Sequence, residues 1–394
     1  MALSFGIEIE CFLQRSSRSG ARQRFSNVYR YLQSVLRNAG EMMKEEGAPV
    51  WRYELLTHAT LGSEIGSSSM YGHQADQSPG WYITSDVSVY DDQRNQIDTL
   101  EVVSPVLNGT KGLTQTADLM RILVANGFKV NDSCGQHVHF GVAQRSWFSR
   151  KKFEEFAKRL NYLYSLFKDD TIDYFFPSSR RDSRWIQYPS PGNESNFFLD
   201  LEQPMMMRCV QYRKIWNSGS YDGRSLASAS RAISEIEDAY SPHDSWRYKA
   251  VNWTTSFWRN GTVEFRQGMA TLSPLHTIMW IRLLHKMYTW SYAPEYRKGG
   301  RYYDDSNPAL TFEDRLGGLP TYSGGASVWE LMSLLRMSDS ANNYWNVRVM
   351  WYKMSFRDRV AASIELGISP NQSAGKIVAK GRRKWFAHHN ANQY

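Results

Sequence analysis

The chain predicts an α+β fold built on a curved, mainly antiparallel sheet with helices packed on its convex side. Three observations lead there. The apparent strands alternate polar and apolar side chains, as expected of a sheet with one covered face and one open face: residues 6–10 read Gly-Ile-Glu-Ile-Glu, 136–140 read Gln-His-Val-His-Phe, and 262–266 read Thr-Val-Glu-Phe-Arg. Hairpins and helices alternate irregularly, without the repeated strand–helix–strand unit of a parallel sheet. Asn260-Gly261 lies between two strand-like segments, a strong signal for a tight hairpin. No internal repeat is visible.

The elements follow in order. Residues 3–13 read as the first strand, and 25–46 as an amphipathic helix with Val28, Leu32, Val35, Leu36 and Met42/Met43 at helical spacing. A strand is expected over 50–56. Residues 57–80, rich in Gly, Ser and polar side chains, read as a long loop and a candidate lid. Residues 81–90 and 97–104 form a hairpin whose second arm ends at Pro105. A helix over 111–126 stops at Gly127, a favoured C-terminal cap, before strands at 128–132 and 136–143. Ser149 is positioned to cap a helix over 149–168 whose Phe153, Phe156, Leu160, Leu163 and Phe167 share one side, the side expected in the core. Residues 177–198 make a Pro/Ser/Arg-rich loop, followed by helices at 204–216 and 224–239. The strand pair 247–257 and 261–267 precedes a long apolar helix over 273–292. Helices near 326–337, 341–354 and 356–366 complete the chain and carry no motif tied to chemistry. The expected division is 1–297, which holds every chemistry-bearing segment, and a mainly helical extension, 298–394, with a basic tail.

With 394 residues, 42% hydrophobic and 14% aromatic, the chain can bury a large core, which excludes intrinsic disorder. No stretch approaches the roughly 20 apolar residues of a membrane helix, and the opening residues read as a strand instead of a leader. A soluble cytoplasmic protein is expected. The cysteines, Cys11, Cys134 and Cys209, are odd in number and lack metal-ligand spacing, which fits a reducing compartment. Cys134 reads as a small buried thiol. The net charge of +8 favours acidic partners: nucleotide phosphates, a carboxylate substrate or, less favoured, nucleic acid. The basic residues cluster at Arg15, Arg18, Arg22 and Arg24, at Arg180, Arg181 and Arg184, and at Lys380, Arg382, Arg383 and Lys384. The last group reads as a solvated tail; the first two flank the chemistry-bearing segments and are candidates for ligand contact.

Because successive side chains of a strand point to opposite faces, Glu8/Glu10, His137/His139 and Glu264/Arg266 each form a pair on one face, backed by Ile, Val and Phe. Asp86 and Glu101 sit in two further strand-like segments. If these strands share a sheet, one face gathers Glu8, Glu10, Asp86, Glu101 and Glu264 with two histidines and Arg266. So many carboxylates cannot stay ionised together without cations. The oxygen-rich set favours Mg²⁺ or Mn²⁺ over zinc, although the histidine pair taken alone also suits zinc. Singly, each pair has a plainer reading, as a solvated strand face or a structural ion pair. Their co-occurrence points to a site. Familiar phosphate signatures are missing: there is no glycine-rich dinucleotide fingerprint, and Gly375-Lys376 has Pro370 in place of the first phosphate-loop glycine and Ile377 in place of Ser or Thr. A Gly-x-Ser-x-Gly elbow is also absent.

Six segments in fixed order, Phe5-Gly-Ile-Glu-Ile-Glu10, Trp81-Tyr-Ile-Thr-Ser-Asp86, Glu101-Val-Val-Ser-Pro105, Cys134-Gly-Gln-His-Val-His-Phe140, Tyr248-Lys-Ala-Val-Asn252 and Thr262-Val-Glu-Phe-Arg-Gln267, resemble the amidoligase family. That family is a branch of the glutamine synthetase and glutamate-cysteine ligase superfamily of carboxylate-amine ligases. The likeness runs from residue 5 to about 290, and the arginine-rich stretch after the first strand departs from it. It implies a funnel-shaped sheet, with ATP entering one end, acceptor substrates the other, and divalent ions between carboxylates and phosphates. On this likeness Glu8, Glu10, Glu101 and Glu264 are the expected Mg²⁺ ligands (Mn²⁺ also suits them), with His139 or His137 as a further ligand or phosphate contact. Arg266 would neutralise the transferring phosphoryl group, Asn252 and Asp86 would orient substrate, and Arg180 or Arg181 would touch phosphates or the acid. Asp86 or a histidine would accept the amine proton. The implied reaction joins a small-molecule or peptide carboxylate to an amine through an acyl phosphate, at least one partner being anionic. Three rivals remain at this point: a guanidino-kinase-like phosphotransferase, a metal-dependent hydrolase, and a non-catalytic nucleic-acid-binding or structural protein.

Overall fold

The computed structural model describes residues 3–14, 27–62, 79–85, 89, 97–141, 156, 160, 163–164, 167–168, 170–181, 250–252, 262–292 and 327–366. They belong to two compact units, one of Met1–Lys158 with Asp182–His285, the other of Arg159–Arg181 with Lys286–Tyr394. The fold is α+β, as the alternation of hairpins and helices predicts.

The first unit holds an open, mixed sheet of eight strands among the described residues: β1 (Ser4–Gln14), β2 (Thr60–Leu61), β3 (Tyr82–Thr84), β4 (Ile97–Val103), β5 (Leu107–Asn108), β6 (Gln136–Gly141), β7 (Val251–Asn252) and β8 (Thr262–Phe265). Their order is β2-β3-β4-β1-β6-β8-β7, with β5 paired to the start of β1. Every pairing is antiparallel except β2 with β3. The long central strand is β1, since its alternation is the most complete. Phe5, Ile7, Ile9, Cys11 and Leu13 are all buried on one face, and Leu100, Val102, Val138, Phe140, Val263 and Phe265 extend that apolar layer over β4, β6 and β8. Phe140 and Phe265 meet edge to face at 5.9 Å. Each such side chain contributes about 1.5–3 kcal/mol by leaving water, so a one-residue slip of β1 would expose the whole row and turn its carboxylates inward.

Helices pack on this apolar side. Helix α1 (Val28–Glu45) starts where the Asn27 side chain accepts the Tyr29 N–H at 2.8 Å. Helix α3 (Gly109–Ala125) comes so close to β5 and β1 that a Cβ at Gly112 would lie 2.8 Å from Leu107 Cβ and 3.2 Å from Phe5 Cε1. It ends at Gly127, whose φ of +78° supplies the left-handed turn expected of that residue. Helix α4 (Pro274–Tyr292) brings Thr277 Oγ1 to Gln136 Oε1 (3.4 Å) and His285 against the Phe140 ring.

Two sequence expectations need correction. Residues 50–56 form not a strand but helix α2 (Val50–Thr57). Its short apolar run, Val50-Trp-Arg-Tyr-Glu-Leu-Leu56, cannot be assigned by periodicity alone. Tertiary contacts decide: Arg52 donates twice to the buried Asp118 carboxylate of α3, at 2.7 and 3.1 Å, and Leu56 is buried. Pro49, with φ already fixed at −66°, leads into the first turn. Residues 128–132 are not a strand either; they contribute a single bridge, Lys129 to Phe12. The expected lid over 57–80 is described only at its ends, and the turn at Asn260-Gly261 and the helices over 204–216 and 224–239 lie outside the described residues.

In the second unit the described positions of the helix expected over 149–168 are helical, with Leu160, Leu163 and Phe167 buried. Helices α5 (Val328–Leu334), α6 (Asp339–Lys353) and α7 (Phe356–Leu366) lie where the sequence places them. A reciprocal capping box between Ser327 and Glu330 starts α5, and Ser338 caps α6. Trp345 of α6 packs on Phe175 at 4.4 Å, while Arg348 Nε donates to the Phe175 carbonyl at 2.9 Å, satisfying a buried cation. Among the described residues no helix is long and apolar enough to cross a membrane.

Candidate active site

The pleat that buries Ile7 and Ile9 turns Glu8 and Glu10 to the opposite face. Register then assembles the neighbours. Glu10 pairs with Glu101 of β4; Glu8 pairs with His137 of β6, and Gly6 with His139. His139 in turn faces Glu264 of β8, which faces Asn252 of β7. Strands far apart in sequence thus supply one cluster.

The distances are short. His137 Nδ1 is 2.9 Å from Glu8 Oε2 and 3.4 Å from Glu264 Oε1, and its Nε2 is 3.6 Å from Glu10 Oε1. His139 Nε2 is 3.1 Å from Glu8 Oε1 and 4.0 Å from Glu264 Oε1. Glu264 is held on both oxygens: Asn252 Nδ2 donates to Oε2 at 2.8 Å and Arg266 Nη1 donates to Oε1 at 2.5 Å. The Gly135 backbone N–H donates to Glu10 Oε2 at 2.5 Å. Glu10, His137, His139, Asn252 and Glu264 are buried; the Glu8 side chain, 22% exposed, and Arg266, 15% exposed, open the cluster to its surroundings. Beyond Glu10 the same face is closed by Phe12, Val89, Cys134 and Ala270.

Electrostatics tie these groups together. Burial pushes the Glu8 carboxyl up, but His139 and His137 outweigh it and hold Glu8 well below the usual carboxylate range. Burial pushes His139 down, yet Glu8 and Glu264 raise it above an ordinary histidine. Arg266 is likewise disfavoured by burial and more than restored by Glu264, Glu8, Glu10 and Glu101. The His139 imidazole and the Arg266 guanidinium are thus drawn toward their charged forms by the same carboxylates.

Two triads have metal-ligand spacing, Glu8/His139/Glu264 and Glu8/Glu101/His137, with the ligand atoms of each within 4.8 Å of one another. Glu8 belongs to both, presenting Oε1 to His139 and Oε2 to His137. Carboxylate oxygens with an imidazole nitrogen suit Mg²⁺ or Mn²⁺, so the donor set fits such an ion. A family model described as "putative amidoligase enzyme" matches residues 1–288.

The chain belongs to the amidoligase family. Membership makes it an enzyme of the ligase kind, and the matched span contains all eight strands and the whole cluster. No curated protein matches it.

Of the residues singled out by sequence, this amidoligase-family chain brings together Glu8, Glu10, Glu101, His137, His139, Asn252, Glu264 and Arg266. Asp86 lies outside the described residues. Arg180 and Arg181 lie in the second unit, on the helical turn Ser178–Arg181, where Arg180 is buried. Sequence reasoning missed two groups. The Gly135 peptide contacts Glu10 through its backbone and leaves no side-chain signal. Thr262, whose Oγ1 is 3.2 Å from His139 Nδ1, shares a strand face with Glu264, and counting by twos from Glu264 reaches it.

Proposed function

We propose that this protein is an ATP-dependent carboxylate-amine ligase that forms an amide through an acyl phosphate. One observation carries the reading: three glutamates and two histidines form two ligand triads that share Glu8 on one sheet face, with Glu10 beside them. Such a density of ionised carboxylate is costly unless cations neutralise it, and a phosphate-bearing co-substrate is the natural partner of the cations. Divalent ions held by these triads, Mg²⁺ or Mn²⁺, supply neutralisation of the charge on phosphoryl oxygens.

A carboxylate is a poor acyl donor because its leaving group is oxide. In the first step a carboxylate oxygen of the acid bonds to the γ-phosphorus of ATP, the bond from that phosphorus to its bridging oxygen breaks, and ADP departs. In the second step the amine nitrogen bonds to the acyl carbon, the carbon–oxygen bond to phosphate breaks, and phosphate departs. The amine must attack in neutral form, and Asp86 or His137 takes its proton. Arg266 serves the first step. Its Nη1 lies on Glu264 Oε1, the oxygen that also faces both imidazoles, so guanidinium and a bound cation compete for it. Arg266 would then place its positive charge against the phosphoryl oxygens, where it acts on the transition state. Asn252, fixed by its bond to Glu264, orients substrate beside it. In this reading the sheet curves into a funnel with the cluster at its floor, and at least one organic substrate is an anion, in keeping with the net charge of +8.

The test is calorimetric titration of ATP with and without Mg²⁺, on wild type and on the Glu8→Gln/Glu264→Gln double variant. Metal-dependent binding that the variant loses supports the reading and opens a screen of acid and amine pairs for release of ADP and phosphate. Absence of ATP binding under any condition rejects it, and a stable phosphorylated product without phosphate release identifies a phosphotransferase instead.

A further inference from the structure

The geometry points to Thr262 as the positioning residue that holds the His139 ring with Nε2 turned into the Glu8/Glu264 triad, where it can ligate a divalent cation. The inference rests on the metal-binding reading of the cluster and adds to it a residue outside the charged set.

Thr262 opens β8 opposite Gly141, on the face that carries Glu264. Gly141 has no side chain to intervene, so the Thr262 hydroxyl reaches diagonally across the strand pair to the next site-face residue of β6, His139. The two ring nitrogens of His139 then face different partners. Nε2 looks at Glu8 Oε1 (3.1 Å) and Glu264 Oε1 (4.0 Å), while Nδ1 lies 3.2 Å from the neutral Thr262 Oγ1. His137 is placed differently, because its Nδ1 faces Glu8 and Glu264 and its Nε2 faces Glu10. A histidine with one nitrogen toward the carboxylates and the other on an uncharged hydroxyl has the arrangement of an oriented metal ligand. An Nδ1–H bond to an outer partner fixes the ring plane and leaves the Nε2 lone pair for the ion. A hydroxyl suits the role because it accepts from Nδ1–H when Nε2 carries either a cation or a proton, so the ring stays in place through loading.

The experiment compares Thr262→Val, which keeps shape and strand preference but lacks the hydroxyl, with Thr262→Ser, which restores it. Mn²⁺ affinity is measured by electron paramagnetic resonance. In parallel, protection of the His139 Nδ1–H proton is followed by NMR on metal-free, histidine-labelled protein below pH 6.5, with His139→Gln providing the assignment. The expected result is about a tenfold loss of Mn²⁺ affinity in Thr262→Val, loss of the protected Nδ1–H signal in the same variant, and recovery of both in Thr262→Ser. Wild-type Mn²⁺ affinity in Thr262→Val, or failure of Thr262→Ser to recover it, overturns the role of Thr262 while leaving the metal site standing. A wild-type protein that binds no Mn²⁺ overturns the metal reading and this inference with it.

Discussion

At the scale of single residues, the cluster is a set of charges that share partners, Glu264 Oε1 facing Arg266 and both imidazoles. In the proposed centre Arg266 and a divalent ion would compete for the Glu264 carboxylate, so the two roles of the arginine separate by mutation. Arg266→Ala is expected to bind Mn²⁺ at least as tightly as wild type, yet to lose amide coupling by about 10²-fold or more, in line with loss of a transition-state cation. Weaker Mn²⁺ binding in a titration of that variant would show that the guanidinium supports the ion site instead of competing with it. Protonation gives a second outcome with a definite sign. His139 is raised above its ordinary value, chiefly by Glu8 against the cost of burial, so its contribution to stability is full below about pH 6.5 and is lost as pH rises through the folded value. Glu8 is held low, so its contribution is present above about pH 4.3 and disappears as pH falls through its depressed value. The metal-free protein should therefore gain most from this pair between those limits. Thermal unfolding of metal-free protein from pH 6 to pH 9 should show a decline that is shallower in His139→Gln; parallel curves would mean that the pair adds nothing to stability.

At the scale of elements, packing decides signs that propensity alone gets wrong. Gly40 lies within α1, where alanine would ordinarily be favoured by about 1 kcal/mol. A Cβ there would sit 2.6 Å from Thr57 Cγ2 and 2.9 Å from the Thr57 backbone nitrogen of α2. Gly40→Ala is accordingly expected to destabilise the fold by about 1–3 kcal/mol in urea unfolding; a stabilised variant would mean that α1 and α2 separate without cost. Long-range packing of this kind also explains why α2 is illegible in the sequence. Nothing in Val50-Trp-Arg-Tyr-Glu-Leu-Leu56 announces a helix, and the bidentate Arg52–Asp118 pairing that holds it joins residues 66 positions apart. By contrast, α1, α3, α4 and the three C-terminal helices follow local pattern: Gly127 is legible as a cap, whereas Asn27 and Ser338 emerge as caps in the structure.

At the scale of the whole molecule, an ion that binds only the folded cluster must raise global stability. Saturating Mg²⁺ or Mn²⁺ at about 100 times its dissociation constant adds about 2.7 kcal/mol, and the shift in melting temperature should vanish in Glu8→Gln, since Glu8 serves both triads. An equal shift in wild type and variant would place the ion elsewhere on the protein. Net charge makes a different claim. The excess of eight positive charges attracts polyanions through counterion release, so any nucleic-acid binding should weaken steeply with salt and be indifferent to Glu264→Gln. ATP binding in the proposed site should depend on that residue.

The sequence by itself determined which side chains share a face. Alternation is a covalent consequence of the extended backbone, so Glu8 with Glu10, His137 with His139, and Glu264 with Arg266 are paired by their spacing alone, and the order of the six segments is enough to indicate the family. Only the tertiary structure decided which strands are neighbours and in what register. The pairings of β1 with β6 and of β6 with β8 join segments more than 100 residues apart, and local pattern carries no record of such hydrogen bonds. Register set Glu8 beside His137, put Glu101 next to Glu10, and brought the uncharged Thr262 to the far nitrogen of His139.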